Sequence, residues 1–382
     1  MFDHTLTDEQ KMLRDAAREF CDKRVRPNVE AWDHAERVPD EIFREMVELG
    51  YFSLLCPEEY GGMGLDAVSY AVMHEEFNRA SAGLGIIMSV HNSLVGGAIR
   101  RFGTEEQRRQ WLPAMCAGKL GAYCLSEPHA GTDAGALRLS AKSDGDAYVL
   151  NGEKMFVTNA DYASFYLVFC RTDVNAGTRG ISAVLVDRHT PGVAVGKPER
   201  KMGIKCSDTR SVSFVDVRVP KANRLGEEGQ GFKIALSQLD HGRIGVAIQA
   251  LAIGEAAYEE ALKYSKVREQ FGKPICEFQA IAFKLADMRM KLDAARLMVD
   301  HAVRRMGAGE RVSREASEAK LFASETANWV ADQAVQIHGG YGYMKEYAVE
   351  RYFRDARITE IYEGTSEAQR IVISRAILAE KK

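Results

Sequence analysis

The sequence predicts an α+β chain in three consecutive regions: a helical domain over 1–120, a β-sheet or barrel domain over 121–230, and a four-helix bundle over 231–382. Three observations predict it. Apolar residues recur at helical spacing through the first region, as in Leu13, Ala16, Ala17 and Phe20. Between 121 and about 225, short β-rich runs replace them (AYVL, KMFVT, FYLVFC, ISAVLV, VAV and SVSFVDVRV), separated by turn residues. From 231 onward long helical periods return, over 231–264, 277–306 and 313–338, with Glu, Lys and Arg on one side and Ala, Leu and Met on the other.

Taken in order, Thr7 is placed to cap the first helix, ahead of Glu9 and Gln10. The stretch GLGIIMSVHNSLVGGAI, 83–99, is weakly charged but short and contains Ser, His, Asn and Gly, which predicts a buried helix rather than a membrane span. Asn151-Gly152, between AYVL and KMFVT, signals a hairpin turn. In KMFVTNA, strand alternation sets Phe156 and Thr158 on one face, where an aromatic and a hydroxyl could cover a flat ring and bond its edge, or simply pack in the core. The segment GEEGQG, 226–231, reads as the hinge between sheet and bundle, and LDHGR, 239–243, as the opening of the long helix. Gly339 and Gly340 in VQIHGGYGY suit a helix C-terminus and also let backbone approach a ligand closely. Ser366 followed by Gln369 forms a capping-box pattern for a last helix over 367–380.

Composition narrows the function. The 382 residues are 46% hydrophobic and 27% charged with a formal net charge of −3, which gives no general attraction to nucleic acid or to an anionic membrane. Seven cysteines, at 21, 56, 116, 124, 170, 206 and 276, form no C-x-x-C pair, which suits free thiols in a reducing compartment. The histidines form no metal-binding pattern, so no metal is expected. The first twenty residues carry no apolar signal core, making the cytoplasm the expected address, or the mitochondrial matrix for a processed eukaryotic chain. Neither G-x-G-x-x-G nor G-x-x-x-x-G-K-[ST] occurs.

What could hold an anion or a polar ring edge instead is YCLSEPHAGTDAG, 123–135, where Gly131, Thr132 and Asp133 offer backbone N–H groups and a hydroxyl, or form a plain surface loop. Lys266, Arg268 and Lys273 in KVREQFGKPICEFQ are three cations on what could equally be a solvated face. Glu363, in IYEGTSEAQR, read alone is a loop acid ahead of the last helix.

The joint pattern YCLSEPHAGTDAG, KMFVTNA, LDHGRIGVA, REQFGKPI, QIHGGYGY and RITEIYEGTSEAQR, in this order, resembles the acyl-CoA dehydrogenase family along essentially the whole chain, and its short-chain (butyryl-CoA) branch through LDHGRIG and ARITEIYEGTSE. The resemblance implies α,β-dehydrogenation of an acyl-CoA with FAD as cofactor. It further implies an electron-transferring flavoprotein as acceptor and a homotetramer built as a dimer of dimers. Glu363 would be the catalytic base. Tyr123, Leu125, Ser126, Gly131, Thr132, Phe156 and Thr158 would line the flavin. Arg268, Gln270, Phe271, Phe278, Gln279, Gln336, Ile337, Gly339 and Gly340 would hold its adenosine and pyrophosphate, partly in a neighbouring subunit, with Thr365 and Glu367 flanking the cofactor. Thr132, Asp240, Arg243 and Gly364 would meet the acyl-CoA.

Two residues depart from the family pattern: many relatives have Gly at His129 and Trp at Phe156. A relative's base can also sit at the position of Gly242, which as glycine cannot serve. The competing readings are an acyl-CoA oxidase using O2, disfavoured by a length without room for the extra C-terminal domain usual there, and a flavin- or CoA-binding protein without turnover.

Overall fold

A computed structural model of the chain describes residues 3–379. The N-terminal helices are α1 (Asp8–Phe20), α2 (Val29–Ala35), α3 (Asp40–Glu48), α4 (Ala67–Ala80), α5 (Ala82–Ser89), α6 (Gly96–Phe102) and α7 (Glu105–Cys116). Thr7 caps α1 with a reciprocal capping box to Gln10, as its spacing predicts. A π-helical turn, Val90–Val95, joins α5 to α6. The combined run Ala82–Phe102 is long and apolar enough to cross a membrane, but it lies buried inside the protein, as expected for a core helix.

The middle strands are β1 (Gly121–Cys124), β2 (Ser140–Asp144), β3 (Ala147–Thr158), β4 (Phe165–Arg171), β5 (Ile181–Asp187), β6 (Val193–Pro198), β7 (Thr209–Pro220) and β8 (Arg224–Leu225). They form one mixed sheet in the order β6-β7-β3-β2-β4-β5-β8, with β1 added parallel to β4. Asn151-Gly152 is not a hairpin turn. The chain turns at Gly145-Asp146 instead, where Gly145 takes a positive φ of 60°, and β3 runs straight through Asn151. At Asn151 the register against β7 shifts, and the Asn151 amide exchanges hydrogen bonds with Asp216 (3.0 and 2.9 Å). The extra residue of this bulge lies on β7, where Asp216 takes φ 51°, while Gly152 on β3 is held free of a side chain by Leu139, which a Cβ would approach to 2.9 Å.

The C-terminal helices are α8 (Gly231–Val267), α9 (Gln279–Gly307), α10 (Ser313–His338), α11 (Val349–Ile358) and α12 (Ser366–Ala379). The first three pack on one another, α11 covers α8 and α10, and α12 lies on α10. Between α8 and α9 a small hairpin pairs Glu269–Gln270 with Lys273–Pro274. Helix α8 begins at Gly231, so LDHGR lies two turns inside it rather than opening it. From Gly242 to Ala257 every residue of α8 is buried, the mark of a helix wrapped on all sides. The 226–231 segment is pinned rather than hinge-like: the Gly229 N–H donates to Ser182 Oγ (3.0 Å), and the Tyr148 hydroxyl donates to Glu228 (2.7 Å).

Candidate active site

Glu363 sits in the short connection between α11 and α12. Its backbone adopts φ 54°, a left-handed conformation that costs a non-glycine residue energy and is sustained only by its surroundings. Those surroundings are specific. The buried Gln369 amide donates to the Glu363 and Gly364 carbonyls (3.2 and 2.8 Å), the buried Lys320 ammonium donates to the Gly364 carbonyl (2.8 Å), and the Ser366 N–H closes the loop onto Glu360 (2.9 Å). The residue that caps α12 is Thr365, whose hydroxyl accepts from the Ala368 N–H (3.3 Å). Ser366, expected in that role, is already the first residue of the helix. Gln369 is therefore not a capping-box partner but the clamp on the Glu363 loop.

The carboxylate held by this loop is not solvated. Its Oε2 is enclosed and has no hydrogen-bond partner. Burial raises the Glu363 carboxyl to about 7, against the opposing pull of Arg243 and Lys320. Burial also raises the phenols of Tyr123 and Tyr362 well above their usual range, and the Glu363 charge adds to both shifts. Among the described residues the Glu363 N–H has no acceptor, so one residue presents a desolvated base and a free donor side by side. Arg243 is steered by Asp240, which accepts from it (2.8 Å) and from the Ser313 hydroxyl (2.6 Å).

Position 242 on α8 faces this carboxylate. A Cβ built there would lie 2.5 Å from Glu363 Oε2 and 3.1 Å from Leu94 Cδ2. Gly242→Ala should therefore displace the carboxylate and lower kcat/KM by at least about tenfold, since positioned bases contribute roughly 10²–10⁴-fold. A variant with wild-type kcat/KM would show that Glu363 reacts from another position.

The loop after β1 is anchored by an ion pair that the sequence did not reveal. Lys154, fully buried on β3, donates to Glu127 (2.7 Å) and to the Leu125 carbonyl (3.0 Å). Glu127 also accepts from the N–H groups of Arg138 (2.6 Å) and Leu139 (3.0 Å). Burial acts to raise the Glu127 carboxyl, but Lys154 and the two N–H groups together hold it below its ordinary value. His129, one of the two departures, places Nε2 3.4 Å from Glu127. The Met155 N–H donates to the Ser126 carbonyl (2.9 Å), tying the loop to β3 just before Phe156.

A second register shift, between Lys154 and Val157, breaks the simple alternation expected of Phe156 and Thr158. Phe156 sits at φ 55° and is 64% exposed, an outlier for a bulky residue.

Family models place the chain. The acyl-CoA dehydrogenase N-terminal, middle and C-terminal domain models match residues 7–119, 122–217 and 229–378. The chain belongs to the acyl-CoA dehydrogenase family, a family of flavoproteins. It is 47% identical to an acyl-CoA dehydrogenase of Bacillus subtilis, over 98% of this chain and 99% of that protein. The structure of butyryl-CoA dehydrogenase from Megasphaera elsdenii superposes with a TM-score of 0.96 at 46% identity, covering 99% of this chain and all of that one. A chain in a structure described as the electron transferring flavoprotein of Acidaminococcus fermentans superposes with a TM-score of 0.97 at 48% identity, covering 99% and 100%.

Within this acyl-CoA dehydrogenase fold the candidate residues form two groups. Tyr123 donates to the Ala235 carbonyl (3.3 Å) near the start of α8, which puts the β1 loop and Phe156 at the Glu363 end. Arg268 lies at the other end of α8, over the Tyr341 ring (5.5 Å), so the hairpin that carries Gln270 and Phe271 meets the segment that follows Gln336 and Ile337. Phe271 is 94% exposed at the hairpin tip and packs edge-on to Phe278 (6.0 Å), which precedes Gln279. From Ala235 to Arg268 is 33 residues, or about 50 Å at 1.5 Å per residue.

Both groups fit the parts of a flavin dinucleotide. A Cβ at Gly131, Gly339 or Gly340 would meet open space, leaving backbone accessible, and exposed aromatics stand beside both groups. Thr132 is exposed on its loop, and Glu367 is exposed on the first turn of α12.

Proposed function

We propose that the chain oxidises the Cα–Cβ bond of a short-chain acyl-CoA to the trans-2-enoyl-CoA, with FAD as cofactor and Glu363 as the base. The observation that carries this reading is the enclosed, unpartnered Glu363 carboxylate next to its own free N–H. The N–H binds the thioester carbonyl oxygen and stabilises the charge that develops there as the α-proton leaves. Glu363 Oε2 takes that proton. Bound FAD supplies the acceptor for the β-hydrogen, which leaves with its electron pair. Tyr123, Phe156 and Thr158 would line the flavin ring. Arg243, steered by Asp240, lies on the CoA side with Thr132 and Gly364. The likeness to butyryl-CoA dehydrogenase supports a short acyl chain.

The test is anaerobic mixing of the purified, yellow protein with a panel of acyl-CoAs. Flavin bleaching should be fastest with short chains. A folded, colourless protein that cannot be reconstituted with FAD would sink the assignment. We expect electrons to pass to an electron-transferring flavoprotein, a partner supported by the Acidaminococcus relative. Peroxide formed at the rate of substrate turnover would favour an oxidase.

The raised Glu363 carboxyl fixes the pH dependence. The base works only when ionised, so kcat/KM should rise with pH through a midpoint near 7. A midpoint near 4.5 would mean a solvated carboxylate.

The distance of about 50 Å along α8 exceeds the length of one dinucleotide, so the Arg268 group serves a cofactor held by a neighbouring chain. This supports a homotetramer arranged as a dimer of dimers, and light scattering showing an active, fully flavinylated monomer would contradict it.

A further inference from the structure

On the face of α8 next to the one that meets Glu363 lies a partly open cavity of about 210 Å³, lined by residues of α4, α6, α8, α9 and the π-helical turn. It is far larger than the roughly 10–15 Å³ that a single water needs. Leu65, Ile248, Val303 and Met306 make one side apolar, while Tyr70, Ser93 and Arg100 supply polar groups. Gly242 abuts Glu363, whereas the cavity is lined by Ile244, Gly245 and Ile248, so the helix itself separates the two sites.

The charges around this cavity do not balance. The buried arginines Arg296 and Arg243 have carboxylate partners, Arg296 with Glu75 (2.8 Å) and Glu255 (2.7 Å) and Arg243 with Asp240. Arg100, which is half-buried, has none among the described residues; its one hydrogen bond goes to the Leu55 carbonyl. Its neighbour Arg101 bonds only His241 and Ser237. Burial lowers the pKa of both guanidinium groups, and Arg100 adds to the shift at Arg101. Tyr70 is 5% exposed, and its hydroxyl stands near those of Ser89 and Ser93 without a well-formed hydrogen bond to either. A half-buried guanidinium with no carboxylate partner, beside a buried hydroxyl on the cavity wall, offers an anion two donors whose desolvation is already partly met.

We propose that this cavity binds a small organic carboxylate with a short apolar tail. Arg100 and the Tyr70 hydroxyl hold the carboxylate, and the tail packs among Leu65, Ile248, Val303 and Met306. The site does not depend on the catalytic reading.

The holoenzyme, with its acyl-CoA site saturated by the enoyl-CoA product, should bind butyrate saturably with one site per subunit in a calorimetric titration. Arg100→Gln should weaken binding at least tenfold, Tyr70→Phe several-fold, and n-butanol should not compete. On wild-type protein carrying methyl-labelled methionine, butyrate should shift the Met306 methyl resonance, which keeps the test valid if the Arg100 variant does not fold. No saturable binding, displacement of butyrate by the enoyl-CoA, equal binding of n-butanol, or an unmoved Met306 signal would each overturn the proposal.

Discussion

Glu363→Gln should retain its flavin and lose at least about 100-fold in turnover, or about 3 kcal/mol of barrier, because it keeps the shape and the N–H of the residue but removes the base. On anaerobic mixing with a good substrate, wild-type flavin bleaches and the variant stays yellow. Bleaching at the wild-type rate would return Glu363 to the status of an ordinary loop acid.

A second readout comes from stability. The folded-state carboxyl lies at about 7, above the ordinary 4.5, so its contribution is fully present below about 4.5 and is lost as pH rises through 7. Glutamine does not titrate, so the variant should be more stable than wild type at pH 8 by up to about 3 kcal/mol, from about 1.4 kcal/mol per pKa unit, with the advantage vanishing near pH 4. An equal difference at both pH values would mean that packing, not charge, separates the two proteins.

Lys154→Met should be the most destabilising change in the β domain. It strips the buried Glu127 carboxylate of its cation and the Leu125 carbonyl of its donor. Breaking one side of a buried pair costs about 3–5 kcal/mol. Urea unfolding should show that loss, together with weaker flavin retention from the loosened 125–132 loop. Adding Glu127→Gln should recover part of the stability, since no unpaired charge then remains. A single variant within about 1 kcal/mol of wild type would show that Glu127 finds another partner.

The three-region architecture was legible because helix and strand periods alternate cleanly along the chain. The Glu363 motif was legible because EGTSEAQR is contiguous. What stayed hidden depends on non-local geometry. Lys154 reads as an ordinary polar strand residue in KMFVTNA, yet it falls on the same face of β3 as the buried Tyr148 and Leu150, and its partner Glu127 comes from a distant loop, so no local pattern announces the pair. Lys320 and Gln369 read as ordinary residues of polar helices, and only the folding back of the Glu363 loop turns them into its supports. Asn151-Gly152 misled for a related reason: the glycine answers to the close approach of Leu139, a contact far along the chain, and not to a turn.

The length of α8 also sets how the protein should respond to dilution. If each cofactor is clamped by the far end of a neighbour's helix, cofactor affinity and subunit affinity are two sides of one equilibrium. Free FAD would then hold subunits together and scarcity of FAD would let them part, so the colour of a dilute solution would report the population of assembled protein as much as the supply of flavin.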